Sequence, residues 1–354
     1  MTQLVFTTQP GWEQVLSAEL RRVFPGATTA LPADGWVATK LSSMNGGVPC
    51  VAFARQCLPD AVPISAESIS QWAAMSAERA IESLREGGRW RLHVFGVYSP
   101  AGPVAPARCR LIERAIVELA RKKRRRLWRA MAAEPAAPAA DDESLVQVGL
   151  FASGQGYWSC CLPGRWRSLR RCVSRFANGQ VPVGPDRRAP SRAFAKLAEV
   201  EIRLGRRIAV GETCADLGSS PGSWAWWALA RGAQVTAVDR SPLRKDLMQH
   251  RRLTFIRGDA FRYQPAAAFD WLLCDVIALP QRTIELLQRW LTYGWCRWFC
   301  VTVKFRGTDE YDSLEGLKGW LAASPAEFFI RRLTSNKNEV MVFGSVDGSI
   351  RATL

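Results

Sequence analysis

Charged residues stand at the ends of apolar stretches in the second half of the chain, where only core would otherwise be expected. WLLCDV (271–276) carries Asp275 near its end, and WFCVTVKF (298–305) carries Lys304. A bare carboxylate or ammonium is costly to bury in an apolar strand, so each asks for a partner or a task. Two more acids, Asp239 and Asp259, follow the apolar stretches 234–238 and 253–257. If these stretches are neighbouring strands of an open α/β sheet, one crevice gathers all four charges, because ligands bind there outside the carboxyl ends of the strands. A carboxylate in that place can accept hydrogen bonds from two ribose hydroxyls. A lysine that can lose its proton can act as a base.

The elements that must position these residues are legible around ETCADLGSSPGSWAWWALARGAQVTAVD (212–239). It reads as strand, glycine turn, helix, strand and terminal acid, the first βαβ unit of a nucleotide-binding sheet. Gly218 and Gly222 let the backbone approach a ligand closely, with Ser220, Pro221 and Ser223 in the same turn. The turn is not GxGxxG and carries no Walker lysine, so dinucleotide and nucleoside triphosphate readings lose ground. A ligand with a ribose but no phosphate fits better, and S-adenosylmethionine is the obvious one. Taken alone, the stretch also fits a structural strand–turn–helix in another α/β protein. From Ser191 onward, however, the pattern repeats. Helices are expected over 192–203, 242–250, 281–293 and 313–323, and strands over 253–257, 271–276 and 298–305. Two last strands, 327–334 and 339–346, have a short connection that implies an antiparallel pair. The expected fold class is α/β, a Rossmann-like methyltransferase sheet that is parallel with a terminal antiparallel hairpin.

Composition points to the partner. The chain has 354 residues, enough for two or three domains, and a formal net charge of +16. Such an excess attracts polyanions and favours nucleic acid. No apolar run approaches the ~18 residues of a membrane span, and the N-terminus does not read as a signal peptide. The ten cysteines form no CxxC pair, and only His93 and His250 could join them at a metal, so no metal is expected. Reduced thiols, a cytoplasmic location and no membrane partner are the expectation. The first ~165 residues mix strands and helices in an α+β pattern. Strands are expected at 4–9, near 36–41, at 50–58 and 89–97, helices over 11–24, 68–86 and 107–132, and a hairpin over 145–162. The helix over 107–132 becomes intensely basic at RKKRRRLWR (121–129), which is either a solvated face or a set of phosphate contacts. RWRSLRRCVSR (165–175) interleaves arginines with Trp166, a composition suited to backbone contact plus base stacking.

These motifs resemble a known family, the FtsJ-like RNA 2′-O-ribose methyltransferases. DLGSSPGSW (216–224) is similar to that family's cofactor loop, and SRAFAKL (191–197), CDV, VTVKF and NEVMVF follow in its order. The resemblance implies a Lys-Asp-Lys-Glu catalytic tetrad at Lys196, Asp275, Lys304 and Glu339. It also implies S-adenosylmethionine contacts at Ser191, Gly218, Ser220, Pro221, Gly222, Ser223, Asp239, Asp259 and Asp275. The whole chain resembles more narrowly the ribosomal RNA large-subunit methyltransferase M family, through PGWEQVLSAEL, FARQ, GQGYWSC, APSRAFAKL and YGWCR. That likeness implies a ferredoxin-like domain over 1–60, a THUMP-like RNA-binding domain over 61–165, a basic linker over 166–190 and a methyltransferase domain over 191–354. It implies 2′-O-methylation of a cytidine in the peptidyl-transferase loop of 23S rRNA, free or in a pre-ribosomal large-subunit particle, by a monomer. Ser223 departs from the family by replacing the second glycine of its PGG.

The tetrad's chemistry is coherent on its own terms. A ribose 2′-hydroxyl is a poor nucleophile, so the enzyme must align it and remove or share its proton. Lys304 is the expected base, which requires its pKa to fall from about 10.4 towards roughly 7–8. Competing readings are methylation of a base, of another rRNA or tRNA nucleotide, or an RNA-binding assembly factor with a relic methyltransferase domain. The strand end reads CDVIALP rather than the Asn/Asp-Pro-Pro-aromatic of amino-group N-methyltransferases, which favours ribose.

Overall fold

The structure is a computed structural model, and it describes residues 2–42, 49–84, 88–97, 106–134 and 137–348. The chain divides into two compact units, 1–180 and 181–354.

Unit 1 holds two four-stranded sheets. The first is built from β1 (Thr2–Thr7), β2 (Thr28–Ala33), β3 (Trp36–Leu41) and β4 (Gln56–Pro59), in the order β2-β3-β1-β4, with α1 (Glu13–Val23) beside it. The second uses β5 (Val62–Ser65), β6 (Trp90–Gly96), β7 (Ser144–Leu150) and β8 (Gln155–Cys161), in the order β5-β8-β7-β6. Helices α2 (Ile69–Ser83), α3 (Pro106–Lys123) and α4 (Arg125–Ala130) accompany it. Ser68 and Gln71 form a reciprocal capping box that starts α2. Trp72, Trp90, Ile112, Ile116 and Trp158 are buried together in the core of this part.

Several expectations change here. Strand β2 was not expected: TTALPA has no buried residue and carries a proline, so it lacks the alternation that betrays a half-buried strand. The strand expected over 50–58 is confined to Gln56–Pro59. The preceding 51–54 is instead a buried irregular stretch, where Glu19 accepts the N–H groups of Ala52 (2.7 Å) and Phe53 (3.0 Å). The long basic helix breaks at Arg124, giving α3 and α4. The end of the helix expected over 68–86 lies outside the described residues. Trp166 sits in α5 (Pro163–Leu169) and is 6% exposed, packed inward with Leu169. Its ring is therefore not available to stack on a base.

Unit 2 is a seven-stranded sheet. Its strands are β9 (Thr213–Leu217), β10 (Gln234–Asp239), β11 (Leu253–Arg257), β12 (Phe269–Cys274), β13 (Cys296–Lys304), β14 (Glu327–Arg331) and β15 (Glu339–Ser345). The order is β11-β10-β9-β12-β13-β15-β14. Every neighbouring pair is parallel except those made by β15, which runs antiparallel to β13 and β14. Strand order reverses between β9 and β12, so the switch-point crevice opens beside the turn that follows β9. Five helices are α6 (Phe194–Leu204), α7 (Ser223–Ala230), α8 (Lys245–Met248), α9 (Pro280–Thr292) and α10 (Ser313–Ala323). In α6, Leu197, Val200 and Leu204 share one face and enter the core with Trp224, Trp271 and Trp298. Gly205 ends the helix in the left-handed conformation. The helix expected over 242–250 shrinks to α8. Among the described residues no helix is long and apolar enough to cross a membrane.

Candidate active site

Sheet register brings the charged residues together. Lys304 closes β13 and lies directly opposite Glu339, the first residue of β15. Asp275 follows the last residue of β12, the parallel neighbour of β13. Lys196 projects from the first turns of α6. Its Nζ lies 3.1 Å from both carboxylate oxygens of Asp275 and 2.8 Å from Oε1 of Glu339. Lys304 Nζ lies 3.0 Å from Asp275 Oδ1 and donates to the Asp275 carbonyl at 2.7 Å. Asp275 thus sits between two ammonium groups, and all four expected tetrad positions form one connected cluster. Two cations and two carboxylates balance, which offsets the cost of holding them largely out of water. Burial alone would lower the Lys196 pKa, but the Asp275 and Glu339 carboxylates outweigh it and raise the value. Lys196 is accordingly a fixed cation, unsuited to accept a proton.

Two supporting groups escaped the sequence reading. Asn336 Nδ2 donates to Glu339 Oε1 at 2.9 Å, while its Oδ1 accepts the Leu333 N–H at 2.6 Å. Asn338 exchanges backbone and side-chain bonds with Phe305, both 2.9 Å, and accepts from the Tyr311 hydroxyl at 2.7 Å. These contacts hold the strand ends that carry Lys304 and Glu339. The only sequence signal was the pair of asparagines in SNKNE.

A second group of expected residues surrounds a pocket of about 220 Å³ at the ends of β9, β10 and β11, lined by Gly218, Asp239, Asp259, Phe261, Ile277 and Arg282 among others. Asp239 accepts the N–H groups of Ser220 (2.9 Å) and Ser241 (2.8 Å), one on each oxygen. A carboxylate offers about four lone-pair sites, so two remain for a ligand. Asp259 accepts from the Phe261 N–H at 2.9 Å and from Arg240 at 2.7 Å, and these bonds hold its pKa below the usual carboxylate range. Arg282 lies over the Phe261 ring, 4.1 Å from its centroid. Gly218 has φ +73°, and a Cβ there would stand 2.9 Å from the Cα of Val276. Only glycine therefore lets the turn lie against the β12 end, where Asp275 begins. Arg240, Phe261 and Arg282 were not expected from sequence, since arginines are too common in this chain to stand out.

Not every expected cofactor residue faces that pocket. Ser191 and Ser223 meet each other, with their hydroxyls 2.7 Å apart, and Ser223 is buried. Ser220 donates its hydroxyl to the Pro242 carbonyl at 3.0 Å. Gly222, at φ +105°, packs so closely on Leu247 that a Cβ would come within 2.5 Å of its Cδ1. Pro221 accepts the Arg244 N–H at 3.0 Å through its carbonyl. Beneath the turn, Asp216 is 2% exposed and accepts the Ala225 N–H at 2.9 Å. Burial pushes its pKa up to about 8, with smaller contributions from the Asp275 and Asp239 charges.

Residues 189–310 match the FtsJ-like methyltransferase family. Among curated proteins, the ribosomal RNA large subunit methyltransferase M of Xylella fastidiosa strain M12 is 32% identical over 196 residues, 52% of this chain and 55% of that protein. The protein of the same name from Stutzerimonas stutzeri strain A1501 is 35% identical over 147 residues, 40% of this chain and 42% of that protein. The chain spans about half the length of the curated relatives it matches. Among solved structures, TrmN from Thermus thermophilus aligns with 98% of this chain and 100% of that one at 16% identity, with a TM-score of 0.36. The matched residues lie in unit 2, a methyltransferase-like α/β fold on a mixed, largely parallel sheet.

Proposed function

We propose, from the premise that residues 189–310 form an FtsJ-like methyltransferase domain, that the protein transfers a methyl group from S-adenosylmethionine to a ribose 2′-hydroxyl of large-subunit ribosomal RNA. The observation that carries this reading is the Asp275 carboxylate held between Lys196 and Lys304, at the sheet end where the Asp239–Asp259 pocket also opens. The pocket's residues suit the cofactor: carboxylate acceptors for ribose hydroxyls, a Phe261–Arg282 wall for a flat ring, and a turn that only glycine can bring close. When bound, S-adenosylmethionine supplies a methyl group already activated for displacement by its sulfonium.

The chain's own residues then do the rest. Lys196, fixed as a cation between two carboxylates, anchors Asp275 and Glu339. Asp275 orients the Lys304 ammonium nitrogen by its side chain and carbonyl. Lys304, once neutral, would accept the 2′-hydroxyl proton and become a protonated lysine, freeing the oxygen to take the methyl group that bound S-adenosylmethionine would supply. Alignment of the hydroxyl is the larger part of what such a site contributes.

The finer reading goes beyond the curated relatives' name, which gives only large-subunit ribosomal RNA, and rests on the resemblance of the motifs. The target is a cytidine of the 23S peptidyl-transferase loop, in free rRNA or a pre-ribosomal particle, and the protein works as a cytoplasmic monomer. Residues 1–60 form a ferredoxin-like domain, 61–165 a THUMP-like RNA-binding domain, 166–190 a basic linker and 191–354 the methyltransferase domain. The test is to incubate the full chain with large-subunit rRNA and labelled methyl donor, then digest the RNA and identify the modified nucleoside. A 2′-O-methylcytidine is expected; a methyl group on a base, or none, overturns the reading.

The cofactor assignment has its own check. Asp239→Ala should weaken S-adenosylmethionine binding at least about tenfold, because two charge-assisted bonds worth about 1.5–3 kcal/mol each are lost before rearrangement. The variant also frees the Ser220 N–H, which loosens the turn. Unchanged affinity in a titration calorimeter would remove Asp239 from the site.

A further inference from the structure

Seven of the nine residues 121–129 are Lys or Arg, and the structure shows what that run looks like in three dimensions. Arg121, Lys122 and Lys123 close α3; the path then breaks at Arg124 (φ −140°, ψ 61°) and resumes as α4. All seven basic residues are exposed. Lys122 pairs with Glu118 at 3.3 Å, with both side chains more than half exposed. Such a pair contributes little. Arg121, Lys123, Arg124, Arg125 and Arg129 have no carboxylate partner among the described residues.

The bland account is that cations gather at a helix C-terminus because the dipole favours them there. It covers Arg121 to Lys123 and stops there. Arg124, Arg125 and Arg126 stand at the start of α4, the end where a helix dipole disfavours positive charge. Repulsion among Arg121, Lys123, Arg124, Arg125 and Arg129 therefore has no carboxylate to offset it among the described residues, and a polyanion relieves it.

The run also carries an indole that the core does not use. Leu127 is buried, yet the next residue, Trp128, is 37% exposed and has no ring or cation–π partner among the described residues. Its position is rigid. The Trp90 indole donates to the Leu127 carbonyl at 2.9 Å, and Ala132 donates to the Trp90 carbonyl at 2.8 Å, so Trp90 of β6 holds the middle of α4 and the residue just beyond it. An exposed, fixed indole among uncompensated arginines has the make-up of a platform on which an unpaired base stacks while its flanking phosphates meet the cations.

We infer that the α3–α4 junction is a binding site for single-stranded RNA, with Trp128 stacking on one unpaired base and the surrounding Lys and Arg side chains neutralising its phosphates. A duplex offers no free base face to Trp128. A lipid surface would need an apolar face, and apart from Trp128 the run presents only charge, because Leu127 points inward. The inference deepens the RNA reading of the proposed function, but it concerns binding alone.

The test uses the full chain without methyl donor, so its failure is separable from failure of the methyl-transfer reading. Fluorescence anisotropy is measured with a labelled single-stranded oligoribonucleotide and with the same strand paired to its complement. Trp128→Ala should weaken single-strand binding by about tenfold, Trp128→Phe should recover most of it, and neither should change duplex binding. The triple variant Arg124→Gln/Arg125→Gln/Arg129→Gln should reduce the slope of log affinity against log salt by about 2, roughly 0.7 for each phosphate contact on a single strand. These positions are exposed, and a thermal melt verifies that each variant stays folded. Equal single-strand affinity for Trp128→Ala, an unchanged salt slope, or a duplex that senses Trp128 as strongly as the single strand would each overturn the proposal. So would Trp128-dependent binding to anionic phospholipid vesicles without any to RNA.

Discussion

Lys304→Ala is expected to lower methyl transfer by at least about 100-fold, the low end of what a positioned general base contributes, while S-adenosylmethionine binding stays nearly intact. The separation follows from geometry: Lys304 ends β13 and touches Asp275, whereas the strand-end pocket is lined by residues of other strands. The variant should fold, because Asp275 keeps its two 3.1 Å contacts to Lys196 and is not left as a bare charge. Lys304→Arg should fail almost as badly, since a guanidinium holds its proton at any accessible pH. Arginine is also larger, so loss in both variants is not enough to establish proton transfer. The single-turnover rate of the unmodified protein should therefore also rise with pH to a plateau. Near-normal turnover by Lys304→Arg would exclude Lys304 as the base and leave it a steering role.

That this lysine stood out from the sequence has a simple cause. In buried parallel strands every residue is expected to be apolar, so a charge at the end of WFCVTVKF or WLLCDV is conspicuous. The same contrast made the β9 turn legible, because GSSPGS (218–223) interrupts the apolar residues of the strand before it and the helix after it. Where contrast is missing, legibility fails. Strand β2 has no buried residue and carries Pro32, and it reads as loop. The break at Arg124 involves neither glycine nor proline, and the contacts that hold the following turn, from Trp90 to Leu127 and Met131, come from a distant strand. Trp166, with arginines on both sides, looks solvent-facing in one dimension, yet α5 turns it inward with Leu169. Asn336 is invisible for a different reason. Its task is to hold Glu339 through a turn, and an asparagine in a loop is ordinary until the partner is seen.

Asp216 is a second residue whose importance the sequence concealed, and its expected effect is on stability. It opens the DLGSSPGSW stretch that resembles a cofactor loop, but its carboxyl lies 2% exposed beneath the glycine turn and holds its proton up to about pH 8, against 3.8 without the fold. Burial is the main cause, since the single bond from the Ala225 N–H favours the charged form and acts in the opposite direction. The unfolded chain releases this proton near pH 3.8 while the folded chain keeps it, so the folded state binds more protons between those values. Stability from this site is therefore complete below about pH 4 and is lost as pH rises to about 8. At about 1.4 kcal/mol per unit, the loss over that range is on the order of 6 kcal/mol before any relaxation of the turn. Asp216→Asn removes the titration while its side-chain oxygen can still accept the Ala225 N–H. Relative to the unmodified protein, the variant should gain resistance to urea steadily from about pH 5 to about pH 8, with the midpoint difference largest at the alkaline end. A midpoint difference that stays constant across that range would show that Asp216 is ionised in the folded protein at neutral pH, held by bonds stronger than the one from Ala225.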